Sequence, residues 1–417
     1  RDFMKTSAAL SVAAVLSGAE RVFAAGNDKI RIGMIGCGGR ATGAMIDCFA
    51  ADPNVELISM CDLFQDRIDG ALNGLKENLK ENFAKRVKVT PETCFTGFDG
   101  YQKLLKTDIN LIITATPPHF RPQHLRASIE AGKHVFMEKP VAVDPVGIRS
   151  VIESSEMAAE KGLAIVAGTQ RRHQNQYVEM MKRIHDGAIG EIVAGQCYWN
   201  MGELWLNPRQ PNWSEMEYQC RNWLYYTWLS GDHIVEQHVH NIDVINWALE
   251  ATPEKCMGMG GRQVRTGPEY GHIYDHFAVD FSYPGDVRIM SMCRQSNGCA
   301  DRVTERVVGT KGVAYFDSFT ITGENPYKFE GDNPNPYVVE HADLLKSIRD
   351  GKPLNEGKQI AESTLCAIMG RMSAYTGKEL SWNWTLKSSK LDLRPERYDL
   401  ADIPVPPVAI PGQTPLI

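Results

Sequence analysis

The sequence predicts an α/β chain of two unlike domains: a doubly wound parallel sheet first, then an α+β domain with a mixed, largely antiparallel open sheet. Three observations carry this. From Lys29 to Ala167, strand-like apolar runs alternate with helix-spaced segments, the order of a parallel sheet. A glycine-rich turn, Gly36-Cys37-Gly38-Gly39-Arg40-Ala41, joins the first strand to the first helix. Beyond residue 190, strand-length runs alternate apolar with polar residues, as in sheets with one solvated face.

Composition bounds the classes. A chain of 417 residues, 43% hydrophobic and 23% charged, is ordinary globular material for two or three domains. The net charge of -6 and the lack of a basic stretch set nucleic-acid partners aside. The ten cysteines are scattered without a CxxC pair, against a zinc framework or a disulfide scaffold. No apolar run past the N-terminus is long enough to span a bilayer, so no stable membrane insertion is expected. The N-terminus itself, residues 1–26, has a basic start, the small apolar run Thr6 to Gly18 and a small-residue site near Ala25, the parts of an export signal. Arg1-Asp2-Phe3-Met4-Lys5 resembles the end of a twin-arginine signal with one arginine present, which predicts a periplasmic or otherwise exported protein.

Ile30 to Ile35 reads as the first strand, and Ala41 to Ala50 as a helix. In the turn between them Gly36 permits the tight bend, Gly38 lets backbone N–H groups approach a pyrophosphate, and Ala41 lets helix and strand pack closely. With a strand before and a helix after, this is a Rossmann dinucleotide turn. The next strand, Val55 to Cys61, ends in Asp62, placed to bind both ribose hydroxyls of an adenosine; a carboxylate there repels a 2′-phosphate, so NAD is the expected cofactor. Leu72 to Val87 and Tyr101 to Leu105 read as helices, Ile109 to Thr114 as a strand, and Ala115 to His119 as its exit loop. A helix from Pro122 to Ala131 leads to the strand His134 to Glu138, and the helix Pro145 to Lys161 to the strand Leu163 to Ala167. The Rossmann domain is set at 27–169. Its cofactor contacts are assigned to Gly36, Gly38, Gly39, Arg40, Ala41, Asp62, Thr116, Pro117, His119, Glu138 and Lys139.

The stretch Val135 to Pro140 is the pivot. It is a short buried strand whose carboxyl end carries Glu138 and Lys139, where open parallel sheets bind ligands. Pro140 keeps Lys139 extended. Beside a cationic nicotinamide and partly buried, the ammonium form of such a lysine is disfavoured, which suits a proton acceptor.

The second domain is set at 170–385, with an extended proline-rich arm over 386–417. It reads as a helix Tyr177 to His185, a strand Glu191 to Trp199, and strands at His276 to Tyr283, Arg288 to Arg294, Thr304 to Gly309 and Gly312 to Phe316, with helices at Glu340 to Asp350 and Gln359 to Thr376. An aromatic stretch, Trp205 to Trp228, suits either sugar stacking or an oligomer interface. Asp232 to Leu249 reads as one amphipathic helix with His233, Glu236, Gln237, His240 and Asp243 in a polar arc. Glu236 and His240 are one turn apart, spaced to meet as an acid/base pair. His238 falls on the apolar side as a core histidine. The H-E-x-x-H spacing is absent and no metal is expected.

The Gly-rich turn, Ala115-Thr116-Pro117-Pro118, Ala131-Gly132-Lys133-His134-Val135 leading into Glu138-Lys139-Pro140, and Tyr375-Thr376-Gly377-Lys378 together resemble the glucose–fructose oxidoreductase/inositol dehydrogenase (Gfo/Idh/MocA) family, over about residues 28 to 385. The resemblance implies that Lys139 contacts nicotinamide and substrate and works with a helix carrying Asp-x-x-x-His, making Lys139 and His240 the proton-handling pair with Glu236 in the aspartate position. Glutamate for aspartate is one departure. Arg121, where relatives often have histidine, is another and is given no catalytic role. Arg171, Tyr177, Tyr225, Trp228 and His240 are assigned to substrate. The implied activity is NAD-dependent oxidation of a secondary hydroxyl of a sugar or glycoside by a homo-oligomer, dimer or tetramer, whose bound cofactor is recycled internally, since free NAD is scarce outside the cytoplasm. A branch of relatives comprises glycosidases that oxidise, eliminate, hydrate and reduce; there the motif lysine is usually replaced. A nucleotide-binding sensor without turnover is the third reading, opposed by retention of Lys139 and His240. Whether Lys139 or His240 is the base stays open in the sequence.

Overall fold

Six strands, β1 (Ile30–Ile35), β2 (Val55–Asp62), β3 (Cys94–Thr96), β4 (Leu111–Thr114), β5 (His134–Met137) and β6 (Ile165–Ala167), form a parallel sheet in the order β3-β2-β1-β4-β5-β6. Helices cover both its faces, which is why β4, β5 and β6 are buried at every position and read as nearly continuous apolar runs. The computed structural model describes residues 29–417; the export signal expected over 1–26 lies outside the described residues. The strand order reverses between β1 and β4, so a crevice opens where Ile35 and Thr114 end side by side.

Nine strands make the second sheet: β7 (Ile192–Met201), β8 (Lys255–Gly261), β9 (His276–Tyr283), β10 (Val287–Gln295), β11 (Arg302–Gly309), β12 (Gly312–Tyr315), β13 (Thr320–Gly323), β14 (Tyr327–Lys328) and β15 (Leu380–Ser381). Their order is β14-β13-β12-β11-β7-β10-β9-β8-β15, antiparallel except for the β7–β10 pair. This is the mixed sheet the alternation predicts. The helices Val239–Leu249 and Gly357–Thr376 cover one face. Met257, Met259, Met290 and Met292 stand on the uncovered one. Among the described residues no helix is long and apolar enough to cross a membrane.

Three features depart from the linear reading. The helix Pro336–Arg349, late in the chain, packs back on the first domain, where Leu344, Leu345 and Ile348 join the core of β1 and the helix Gly39–Ala51. The aromatic stretch, for which the sequence offers no regular element, contains a helix over Glu215–Arg221, capped by Ser214, which accepts a hydrogen bond from Glu217 N at 3.2 Å. The arm after residue 386 ties the domains together. The Leu393 amide donates to Asp144 (2.8 Å), the amide of Met216 to Ala401 O (3.2 Å) and that of Gly412 to Thr376 O (2.9 Å).

Candidate active site

Gly36 follows β1 with φ +85°, and a Cβ there would stand 2.9 Å from the Thr116 amide, so the two strand ends approach only because this residue is glycine. Gly38 and Gly39, by contrast, have nothing within 4 Å of a Cβ position: they face open space, as a pyrophosphate needs. Asp62 closes the turn from the side, accepting from the Cys37 amide (2.7 Å) and the Phe64 amide (3.0 Å). Burial pushes its carboxyl up, opposed by those two amides. Above these groups lies a cavity of about 480 Å³, a usual ligand volume. Gly36, Gly38, Gly39, Arg40, Asp62, Thr116 and Pro117 all line it. The turn, the open glycines and the carboxylate fit a dinucleotide.

Five predicted cofactor residues, Arg40, Glu138, Ala41, His119 and Lys139, stand elsewhere or face otherwise. Arg40 lines the cavity, but its guanidinium turns to Glu138 (2.5 Å) and Glu340 (3.4 Å), the latter from the returning helix 336–349. Glu138 is thereby buried under Arg40 and against Gly168. Ala41 is buried where helix meets sheet. His119 shares a hydrogen bond with Tyr398 of the arm (2.7 Å) and meets the Trp228 ring edge at 5.0 Å, with burial pushing its imidazole down to about 4. Thr116, by contrast, is backed by His124, which the sequence reading passed over and which also lines the cavity.

Lys139, Glu236 and His240 lie beyond the cavity's lining, at the domain junction. The expected single helix over 232–249 is in fact two, His233–Glu236 and Val239–Leu249, broken at Gln237 and His238. Asp232 sets the entry with φ +70°. Its carboxylate accepts from the His233 amide (2.6 Å), the Tyr274 amide (2.8 Å) and the Tyr375 hydroxyl (2.5 Å). Tyr375 of the C-terminal motif therefore anchors this corner. His238 turns inward to Ser291 (2.7 Å), a core histidine as its apolar side implied.

The break changes the pairing. Ending a helix at Glu236 frees that residue's carbonyl, and Lys139 Nζ donates to it at 2.8 Å while standing 3.3 Å from Glu236 Oε1. The carboxylate expected against His240 is thus held by Lys139. His240 is buried, stacked on Trp199 (centroids 5.7 Å, planes 20° apart), with Nδ1 lacking a hydrogen-bond partner. Burial, then the positive charges of Lys139, Arg171 and Arg40, hold its imidazole well below the ordinary value, so it is neutral. Arg121 lies behind this corner, buried, donating to the Pro140 carbonyl at 2.5 Å; it positions the Lys139–Pro140 turn.

The predicted substrate contacts divide. Arg171 pairs with Glu305 inside the second domain, flanked by the Tyr177 and Trp199 rings at 5.4 and 5.8 Å. Tyr177 directs its hydroxyl to Glu305 (3.4 Å), which also takes the Asn241 amide (2.5 Å). These groups brace the element bearing His240. Tyr225 is wholly buried, its hydroxyl donating to the Trp205 carbonyl at 2.8 Å, and Trp228 donates to Gln219 at 2.6 Å. In this structure both hold the aromatic segment in shape. Trp199, against His240, was hidden at the end of a strand pattern. Among the described residues no cluster of His, Cys, Asp or Glu is arranged to hold a metal ion.

A nucleotide cavity at a sheet switch point, with a lysine–carboxylate pair where a second domain meets it, defines a two-domain protein of the dinucleotide-dependent class. Residues 30–169 match the NAD-binding Rossmann fold of the Gfo/Idh/MocA oxidoreductase family, and residues 177–315 match that family's C-terminal domain. The chain belongs to the Gfo/Idh/MocA oxidoreductase family, and its cofactor domain is an NAD-binding one. Similar curated proteins include a glycosyl hydrolase family 109 protein of Streptomyces coelicolor, 28% identical over 174 residues, 41% of this chain and 34% of that protein. Another is the 2,7-anhydro-N-acetylneuraminate hydratase of Escherichia coli, 26% identical over 177 residues, 42% of this chain and 43% of that protein. The chain thus spans less than half the length of these curated relatives. The aldose–aldose oxidoreductase of Caulobacter crescentus, with glycerol bound, shares the fold at 17% identity and TM-score 0.64, covering 85% of this chain and 99% of that one. Apo scyllo-inositol dehydrogenase of Lactobacillus casei does so at 17% identity and TM-score 0.63, covering 85% and 98%.

Proposed function

We propose that this protein is an NAD-dependent oxidoreductase acting on a secondary hydroxyl of a sugar or glycoside. The carrying observation is the Lys139–Glu236 pair, which joins a Rossmann strand end to a helix end of the second domain beside a neutral His240. NAD, when bound, supplies the hydride acceptor. The substrate hydroxyl proton passes to Nε2 of His240, the ring nitrogen left for a ligand because Nδ1 is buried. Lys139 Nζ, held by the Glu236 carbonyl and carboxylate, hydrogen-bonds the oxygen as its negative charge develops. The C–O bond becomes a carbonyl as the hydride leaves. Trp199, stacked on His240, keeps the imidazole facing one way. Named relatives that act on aldoses and inositols support the substrate class.

A redox-cycling glycosidase is the second reading, favoured by similarity to glycosyl hydrolase family 109 proteins and to the α-N-acetylgalactosaminidase of Shewanella oneidensis. Incubating purified protein with aldoses, inositols and aryl glycosides separates the two. Formation of ketone with stoichiometric reduced nicotinamide, or of paired oxidised and reduced sugars, supports the oxidoreductase. Aglycone release without either product replaces it with the glycosidase. We further propose export in the folded state and a homo-oligomer formed through the methionine-bearing sheet face, where Met257 and Met259 are 56% and 71% exposed. N-terminal sequencing of periplasmic protein and light scattering of a Met259→Glu variant test these.

A further inference from the structure

The nucleotide cavity is not built by the Rossmann domain alone. Besides Gly36, Asp62 and Phe64, its walls include Trp205, Asn207, Cys220, Arg221 and Trp223, all from the second domain. They share the cavity with Asp62 at the end of β2, Phe64 and Arg67 just after it, and Phe98 after β3, the sheet end where a dinucleotide's adenosine sits. This segment is fastened down in three ways. Arg221 forms two parallel bonds of 2.9 Å to the Asp66 carboxylate in the first turn of the helix Gln65–Leu79 and stacks on Phe64 at 3.8 Å, its guanidinium oriented by a bond of 2.8 Å to Glu217 of its own helix. Phe64 is also a member of the apolar cluster formed by Met216, Cys220, Leu224 and Tyr226, so the ribose-side loop and the segment share one small core. Finally, the arm holds the segment's far side: the Glu215 amide donates to Asp402 Oδ1 at 2.9 Å, and the Met216 amide to the Ala401 carbonyl.

We propose that residues 202–226 roof the adenosine half of the NAD site, and that the Arg221–Asp66 pair is the latch that governs how fast the dinucleotide leaves. The indole rings of Trp205 and Trp223, 6.0 Å apart, offer stacking faces and the Asn207 amide a polar edge, the chemistry a purine base needs. Release of the adenosine end requires the segment to lift. Lifting breaks a bidentate charge-assisted pair, one of the stronger polar contacts available to a side chain, and exposes Phe64. The cofactor is then resident through many turnovers, which deepens the proposed internal recycling. The inference rests on NAD occupying the cavity, as the family assignment has it.

The test uses the full-length chain loaded with NADH and chased with excess NAD, following energy transfer from tryptophan to the reduced nicotinamide. Release is expected to be at least about tenfold faster in Arg221→Gln and in Asp66→Asn, matching the loss of one bidentate pair. Salt should speed release from the wild type and leave both variants nearly unchanged, because Asp66 is 59% exposed and its pairing is screened. Circular dichroism melting establishes that each variant is folded. Equal release rates in wild type and both folded variants, with no salt effect, overturn the latch. Absence of NADH binding in folded wild-type protein overturns the placement of the cofactor itself, a different result read in the same cuvette.

Discussion

Replacing Glu236 by glutamine isolates the charge that holds Lys139. The amide keeps the shape and an acceptor oxygen, and the backbone carbonyl still receives Nζ at 2.8 Å, so only the carboxylate charge 3.3 Å away is lost. At that distance and an effective dielectric near 20, the attraction is about 5 kcal/mol before the cost of desolvating either ion. Both side chains keep only 14% of their exposure, so the pair belongs to the largely buried class, in which removing one partner costs about 3–5 kcal/mol. The surviving carbonyl contact offsets part of that. A net loss of about 2–3 kcal/mol in holding the ammonium toward the substrate corresponds to roughly 10² in kcat. Glu236→Asp keeps the charge on a shorter arm and should lose only about tenfold, the scale of one misaligned contact. Steady-state turnover with the sugar that the substrate panel selects, together with NADH titration by fluorescence, reads both effects; cofactor affinity should not move. If Glu236→Gln turns over at the wild-type rate while Lys139→Gln is inactive, Glu236 does not position the lysine and the pairing has no catalytic meaning.

His240→Ala should lower kcat/KM by about 10² or more. Because its imidazole is held well below the ordinary value, activity in the wild type should persist on the acid side beyond the usual imidazole range, and Lys139→Gln, which removes one of the depressing charges, should move the acid limb of the profile upward. Asp62→Ala should weaken NAD far more than NADP in fluorescence titrations; equal losses would show that the carboxylate does not meet the ribose. His173 sits between Asp343 (2.6 Å) and Glu356 (3.1 Å). Burial pulls its imidazole down, but the two carboxylates outweigh it and raise it from 6.5 to about 10. A raised folded value stabilises fully below the unfolded value and less as pH climbs through the folded one. The stability advantage of wild type over His173→Gln in urea melts should therefore be largest near pH 6 and shrink toward pH 10. A constant difference across that window would mean the histidine is not charged in the fold.

The first domain was legible because its signals are local. A strand buried on both faces must be largely apolar, and a chain bending over a pyrophosphate must have glycine where a Cβ would strike Thr116, so β1, β4, β5 and Gly36 can be read without neighbours. The site was legible in part. Lys139 was found because a strand end before a proline is itself a local pattern. Its partner was misread because 100° periodicity assumes an unbroken helix, and the break at Gln237 depends on Asp232, which is fixed by Tyr375 and Tyr274 far along the chain. Tyr225 and Trp228 carry the side chains of a sugar platform; what they touch instead was set by packing.

By itself, then, the sequence determined the two domains, their sheets, the dinucleotide turn with Asp62, and the candidacy of Lys139 and His240. The tertiary structure alone decided which carboxylate faces which base, that helix 336–349 returns to supply Glu340 beside Arg40, and that a segment of the second domain walls the cavity above the glycine-rich turn. The physical reason is one of range. Backbone sterics and burial periodicity act over a few residues and leave their mark in adjacent letters, whereas ion pairs such as Arg221–Asp66, 155 residues apart, depend on how distant elements pack.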